Sequence, residues 1–241
     1  TFLPDADKHP DRVIDANVGG VTNLLAAVAA HGISPRILFV SSCQVYGPPE
    51  TLPITEEHPL RPEHVYGVSK RMAEDTCRAM IRNEELDIVV ARPFNHTGPG
   101  HRPEFSLASF ARQIARIEAG LEQPMLRVGN LESRRDYLDV RDVVRAYLLL
   151  LDQGETGEAY NVCRGSSESM RAMLGNLLER SSRSIDVEND PARMQASDIP
   201  DLYGSHEKLT VTTGWTPEIS PDDMLGALLD YWREESSRES T

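Results

Sequence analysis

The chain has 241 residues, 39% of them hydrophobic and 26% charged, and a formal net charge of −13. That length suffices for one large core or two small ones, and the composition is that of an ordinary globular protein. The acidic balance argues against a nucleic-acid-binding surface, although Arg127, Arg134, Arg135 and Arg141 could together form a local basic pocket. No run of about 18 apolar residues marks a membrane span, and no charged-then-apolar leader marks export. Cys43, Cys77 and Cys163 lack the spacing of a zinc site or a disulfide framework, and are expected as reduced, buried thiols in a cytoplasmic protein. The histidines show no metal-ligand pattern, so no metal is expected; His96 and His101 read as loop residues.

Residues 1–12 are polar and carry prolines, which predicts a loop. Val18, Val21, Leu24, Leu25 and Val28 recur at helical spacing and Gly32 supplies a stop, so a helix is predicted over Val13–His31. Asn17 sits among small residues within it, an odd place for an amide without a partner. Arg36–Val40 is a short apolar run that predicts a strand buried on both faces. After the turn Tyr46-Gly47-Pro48-Pro49 and a Pro-rich loop, a helix is predicted through Tyr66 and Lys70 to about Asn83, then a strand over Ile88–Ala91 that exits at Arg92-Pro93.

Beyond Asn95 the reading is a loop over His96–Gly100, an amphipathic helix over Phe105–Gly120 and a strand at Met125–Val128. A charged loop Gly129–Asp136 leads to an apolar helix over Asp139–Leu151, with Asp139 or Asp142 as its cap and Gly154 as its stop. A strand over Ala159–Val162, a helix near Ser169–Arg180, a strand near Ile185, an irregular stretch from Asp190 to Tyr203 and a last helix over Pro221–Arg233 complete the order. The charged tail after Arg233 reads as frayed.

Helix, strand, helix, strand in this order is the pattern of a parallel sheet covered by helices. Ligands of such sheets bind beyond the carboxyl ends of the strands, where Ser42 and Asn95 both fall. Tyr66 and Lys70 are four apart at the start of a helix, just over one turn, and so share a face. A cation beside a phenol whose ordinary pKa is about 10 favours phenolate and allows proton transfer near neutral pH. Read on residues alone, the pair is also compatible with a solvated helix face. Likewise Ser42 could cap a strand end, Asn95 could be a turn residue after a proline, and Arg135 could be a surface charge beside Asp136.

The motifs Ser41-Ser42-Cys43-Gln44-Val45-Tyr46-Gly47, Tyr66-Gly67-Val68-Ser69-Lys70 and Arg92-Pro93-Phe94-Asn95, in this order, resemble those of the extended short-chain dehydrogenase/reductases that act on nucleotide sugars, the NAD-dependent epimerase/dehydratase family. Arg92–Gly100, Val128–Asp136 and Asp139–Tyr147 are most similar to the GDP-4-keto-6-deoxy-D-mannose reductases, and the resemblance runs from about Asn17 to Trp232. It implies an α/β fold: part of a Rossmann-type doubly wound parallel sheet, with a smaller C-terminal α/β substrate-binding domain. Residues 1–94 and 137–164 would form the nucleotide-binding domain, and 95–136 and 165–241 the substrate-binding domain.

By the same resemblance Tyr66 would protonate the sugar oxygen as hydride reaches C4. Lys70 would lower the Tyr66 pKa and hold the nicotinamide ribose, which makes both residues cofactor-binding as well as catalytic. Ser42 would hydrogen-bond the same oxygen. Asn95 and Arg135 would hold the sugar diphosphate, with Arg193 a candidate for the same anion. The family continues Arg-x-Arg-Pro at that last position, whereas here Arg193 is followed by Met194-Gln195-Ala196, which should weaken diphosphate binding. Asn17 would be mainly architectural. The implied cofactor is NADP(H) or NAD(H), the partner a nucleotide sugar, and the assembly a homodimer formed through the helices that hold Asn17 and Lys70.

Two departures qualify this expectation. Gln44 stands where the family's 4,6-dehydratases carry a glutamate base, so reduction is favoured over dehydration. No G-x-x-G-x-x-G or G-x-G-x-x-G turn joins a strand to a helix. At roughly 30 residues per strand–helix–strand unit, on the order of 70 residues of the family's N-terminal half would be missing. The expectation is then an unpaired edge at Arg36–Val40 and weak dinucleotide binding by the chain alone. A nucleotide-sugar epimerase or dehydratase, and a non-catalytic sugar-nucleotide-binding relative, stand as the alternatives.

Overall fold

In the computed structural model, residues 8–193 and 199–239 are described. The expected loop at 1–7 and the motif residues Met194–Ala196 lie outside them. The chain forms two compact units, the first comprising Thr1–Phe94, Val143–Gly165 and Gly204–Thr216, the second Asn95–Asp142, Ser166–Tyr203 and Pro217–Thr241.

The first unit is built on three parallel strands in the order β1 (Ile37–Val40), β2 (Ile88–Pro93), β7 (Ala159–Val162). β2 is buried at every residue, as its apolar run predicts. Successive side chains on a strand face opposite sides. Ile88 and Val90 of β2 pack with Leu25 and Val28 of helix α1 (Pro10–Ala30) and with Ala73 and Cys77 of helix α2 (Val65–Glu84). Val89 instead faces Gly154 at the end of helix α4 (Val140–Gln153). Helices thus cover both faces of a parallel sheet, which is the doubly wound α/β arrangement. β1 lies at its edge, and of its residues only Phe39 is buried, because β2 is its one neighbour among the described residues. Burial on both faces, expected from the apolar run, is therefore not reached.

Helix α1 begins at Pro10, earlier than the sequence suggests; the missing N–H of proline costs nothing in a first turn. Asp15–Gly19 within it is π-helical. By length and composition α1 is apolar enough to cross a membrane, although its sequence shows no unbroken apolar run. The short helix α6 (Glu207–Thr213) follows, with Leu209 and Trp215 buried in the first unit.

The second unit is organised around helices α3 (Ser106–Glu118), α5 (Met170–Glu179) and α7 (Pro221–Glu239), packed with Leu126 and Val128 of strand β4 (Met125–Val128). Phe110, Ile114 and Ile117, spaced four and three apart, form the inward stripe of α3. Strand β9 (Asp186–Asn189) pairs β4 in parallel. β3 (Asn95–Thr97) pairs β6 (Tyr137–Asp139), so the loop expected at His96–Gly100 begins as a strand. The two-residue strands β5 (Arg134–Arg135), β8 (Glu168–Ser169) and β10 (Asp201–Leu202) form a third small sheet. α7 continues through the tail that reads as frayed.

Candidate active site

β1 ends at Val40 and delivers Ser41-Ser42 into a tight 3₁₀ turn, Cys43–Val45. Ser42 caps that turn, its hydroxyl accepting from the Gln44 backbone N–H at 3.2 Å. The N-terminus of α2 lies directly against the turn, which explains the glycine in Tyr66-Gly67. A Cβ at Gly67 would fall on the Gln44 carbonyl oxygen and within 2.9 Å of the Pro62 side chain. With no Cβ, the helix approaches closely, and the Ser42 hydroxyl acts on the Tyr66 phenol to favour its ionised form.

Lys70 lies one turn further on. Its Nζ donates to the Val40 carbonyl at 2.9 Å and stands 5.4 Å from the Phe39 ring centre and 5.9 Å from that of Tyr66. The structure thus brings Ser42, Tyr66 and Lys70 to the carboxyl end of β1. The electrostatics differ from the sequence expectation. Burial pushes the Tyr66 phenol above its ordinary value, only partly opposed by the Ser42 hydroxyl, and burial lowers Lys70. The ammonium donates to the strand carbonyl, and desolvation is the largest influence on the phenol. At neutral pH Tyr66 is therefore a phenol, a proton donor rather than a base.

Asn17 has the partner its position demands. Its Nδ2 donates to Ser69 Oγ at 2.9 Å, and Ser69 Oγ donates to the Tyr66 carbonyl at 2.8 Å. The π-helical stretch of α1 is thereby tied to the first turn of α2.

Behind these residues is a buried polar cluster that the sequence did not announce. Glu74 of α2, fully buried, accepts from Arg92 Nη2 of β2 at 2.7 Å and Arg92 Nε at 3.0 Å, and from Ser41 Oγ at 2.6 Å. Arg92 Nη1 donates to the Tyr46 hydroxyl at 3.0 Å, which donates to Asn161 Oδ1 of β7 at 2.7 Å. Burial opposes the charge on Arg92, but the Glu74 carboxylate more than offsets it and holds the guanidinium above its ordinary pKa. Glu56 accepts from the Asn161 backbone N–H at 2.7 Å, and burial raises its carboxyl.

Asn95, Arg135 and Arg193 belong to the second unit. Asn95 opens β3, and its side-chain oxygen is buried without a hydrogen-bond partner among the described residues. Arg135, on β5, is half-buried and donates through Nη1 to the carbonyls of Arg134 and Ile199. Arg193 is largely exposed and close to Asp190, at 3.5 Å, and to Ser109 Oγ, at 3.1 Å. Its carbonyl closes against Gly129, where a side chain would not fit. Among the described residues no group of His, Cys, Asp and Glu side chains has the arrangement of a metal site.

The family model described as GDP-mannose 4,6 dehydratase matches residues 3–228. The chain is 42% identical to the GDP-6-deoxy-D-mannose reductase of Pseudomonas aeruginosa, over 99% of this chain and 79% of that protein. It is 29% identical to UDP-glucose 4-epimerase 2 of Oryza sativa subsp. japonica, over 90% of this chain and 56% of that one. The solved structure of RMD from Pseudomonas aeruginosa complexed with NADPH superposes with a TM-score of 0.93 at 40% identity, covering 98% of this chain and 79% of that one. With the family model matching most of this chain and a relative at this identity, the chain belongs to the GDP-mannose 4,6-dehydratase family, within the short-chain dehydrogenase/reductases that act on nucleotide sugars.

Proposed function

We propose that this protein reduces the C4 keto group of a GDP-linked 4-keto-6-deoxyhexose, with NADPH as the reductant. The observation that carries the reading is a phenol, Tyr66, kept protonated at neutral pH by burial, with the Ser42 hydroxyl acting on it and Lys70 one turn away at a strand end. Likeness to a GDP-6-deoxy-D-mannose reductase at 42% identity and to a structure complexed with NADPH gives the substrate and cofactor classes. Gln44, beside Ser42, is an amide and cannot act as the base that a dehydration requires.

A dinucleotide has two ends to be held. The residues present fit the nicotinamide ribose: one of the three N–H groups of Lys70 is committed to Val40, which leaves donors for ribose hydroxyls. The chain contains no glycine-rich turn between a strand and a helix to cradle a pyrophosphate. NADPH, when bound, supplies a hydride to the carbonyl carbon. As the carbonyl oxygen gains negative charge, the Ser42 and Tyr66 hydroxyls donate to it, and the Tyr66 proton is transferred to give the alcohol. The phenolate left behind is stabilised by the Lys70 ammonium.

Asn95, Arg135 and Arg193 are assigned to the sugar diphosphate, so that the second unit is the substrate-binding part and the first the nucleotide-binding part. Support for Asn95 is its unpartnered, buried oxygen, and for Arg193 its exposed guanidinium. Leu24 of α1 and Val68 and Met72 of α2 are exposed apolar residues, which supports a homodimer through these helices and a packing role for the apolar α1 rather than a membrane span. The three buried cysteines, none in a disulfide, fit a cytoplasmic location.

Incubated with NADPH and the keto sugar, the protein is expected to oxidise NADPH in step with loss of the keto group. The epimerase relatives make a nucleotide-sugar epimerase the second reading. An epimerase returns its hydride, so isomerisation without net NADPH oxidation would replace the first reading by the second.

A further inference from the structure

We propose that Glu74 and Arg92, acting through Ser41 and Tyr46, are positioning residues that fix Ser42 against Tyr66 and Lys70. The proposal rests on the reading of Tyr66 as proton donor. Ser42 is carried by a short segment between Ser41 and Tyr46, and one ion pair holds both ends of it. Glu74 Oε1 accepts from Ser41 Oγ at 2.6 Å, while Arg92 Nη1 donates to the Tyr46 hydroxyl at 3.0 Å.

The pair itself leaves little freedom. Oε1 of Glu74 also accepts from Arg92 Nε at 3.0 Å, and Oε2 accepts from Arg92 Nη2 at 2.7 Å and Arg78 Nη2 at 3.3 Å. A carboxylate offers about four acceptor sites, and all are filled, so any rotation breaks a bond. Beyond Tyr46 the chain of bonds continues to Asn161 Oδ1, and Asn161 Nδ2 donates to the Ile54 carbonyl at 3.1 Å. Ser41, Tyr46, Glu74, Arg92 and Asn161 are all buried.

Glu74 lies one turn beyond Lys70 on α2, so the same bonds set the rotation of the helix that carries Tyr66 and Lys70. An apolar cluster of similar volume would fill this space with equal or better stability. What it would lack is direction. The network joins the end of β1, the 3₁₀ turn, α2, β2 and β7 with bonds of fixed angle, and Ser42 is held between two of them. Hydrogen-bonding side chains with a single satisfied arrangement specify geometry in a way that packing alone does not.

The test uses variants that each cut one tether while leaving Glu74 and Arg92 paired: Ser41→Ala and Tyr46→Phe. With tyrosine labelled with ¹³C at Cζ, the Tyr66 resonance is assigned by its loss in Tyr66→Phe, and its position at neutral pH reports the surroundings of its hydroxyl. Both tether variants are expected to shift that resonance and to lower kcat by about tenfold or more while leaving KM for the keto sugar within about twofold, as misplacement of a reacting group does. Glu74→Gln should do the same more severely; if it fails to fold, the two tether variants decide. An unmoved Tyr66 resonance in both overturns the proposal, whatever happens to kcat, because a general loss of stability lowers activity without reporting on this contact. If the wild-type protein shows no reduction, the functional reading fails while the resonance still decides the positioning role.

Discussion

Around their candidate site residues, the two units treat polar side chains in opposite ways. In the first, the charged and hydroxylated groups behind Ser42, Tyr66 and Lys70 are buried and bonded to one another to capacity. In the second, the oxygen of Asn95 is buried without a partner among the described residues, and Arg193 is part-exposed beside Asp190 and Ser109. Groups that must transfer a proton within a fraction of an ångström are built into a rigid lattice. Groups proposed to grip a flexible anion keep capacity in reserve, and an unpaired buried polar atom is a cost a protein bears only where something else can satisfy it.

Substitutions in each unit can break this contrast. The largest effect is expected at Tyr66→Phe, which removes the proposed proton donor and should lower kcat for keto-sugar reduction by about 10²–10⁴-fold, measured as NADPH oxidation; a rate within a few-fold of wild type would remove Tyr66 from its role. Glu74→Ala leaves Arg92 as an uncompensated buried charge, and a loss of about 3–5 kcal/mol is expected in urea unfolding. Gly67→Ala should cost on the order of 1–3 kcal/mol by forcing α2 away from the Gln44 carbonyl, and should also cost activity, since it separates Tyr66 from Ser42.

In the second unit the contrast predicts function without stability. Arg135→Ala is expected to raise KM for the nucleotide sugar by roughly ten- to a hundredfold, the worth of a charge-assisted hydrogen bond, with kcat little changed. Arg193→Ala should change folding stability by less than about 0.5 kcal/mol; a loss comparable to that of Glu74→Ala would erase the distinction between the units.

The smallest effect is in pH dependence. Burial raises Tyr66 and Tyr147 in the first unit and pushes Tyr137 up to about 12 in the second, and Cys77 likewise to about 12. Below about pH 10 these tyrosines are protonated in both states. Above it the unfolded chain loses protons first, so their contribution to stability is full below that point and falls as pH rises through the folded values. Lys70, lowered by burial, works in the opposite sense up to about pH 10.5, as one group against several. Denaturant midpoints should therefore begin to decline near pH 9, the ordinary value of the Cys77 thiol, and more steeply above about pH 10, and Tyr137→Phe should flatten the decline.

What could be read from the sequence was what local spacing encodes. Tyr66 and Lys70 are one turn apart, the strand at Ile88 and the helices of the second unit follow simple periodicities, and strand ends mark the rim where Ser42 lies. The Glu74–Arg92 pair was not legible, because Glu74 stands between Ala73 and Asp75 on a helix rich in charge and reads as solvated. Only the arrival of β2 beneath it makes it buried. Thr210, Val211, Thr212 and Thr213 favour a strand, yet Glu207–Thr213 is a helix because Leu209 is drawn into the core, so tertiary packing overrides propensity. The two-residue strands around Arg135 have no periodicity to read. The electrostatics of Tyr66 are illegible for a related reason: spacing places a cation nearby, but the desolvation that raises the phenol's pKa comes from residues distant in sequence.

The π-helical stretch Asp15–Gly19 carries one more consequence. A π turn holds one residue more than an α turn, so α1 behaves as a helix with a single inserted residue absorbed as a bulge. Each residue of an α-helix advances about 100° around the axis. An extra residue not absorbed would swing Pro10–Ile14 by that angle relative to Leu25 and Val28; because the bulge absorbs it, removing Ala16 should leave both faces aligned and disturb only the bulge, from which Asn17 reaches Ser69. The helix is in this sense a ruler with one extra division.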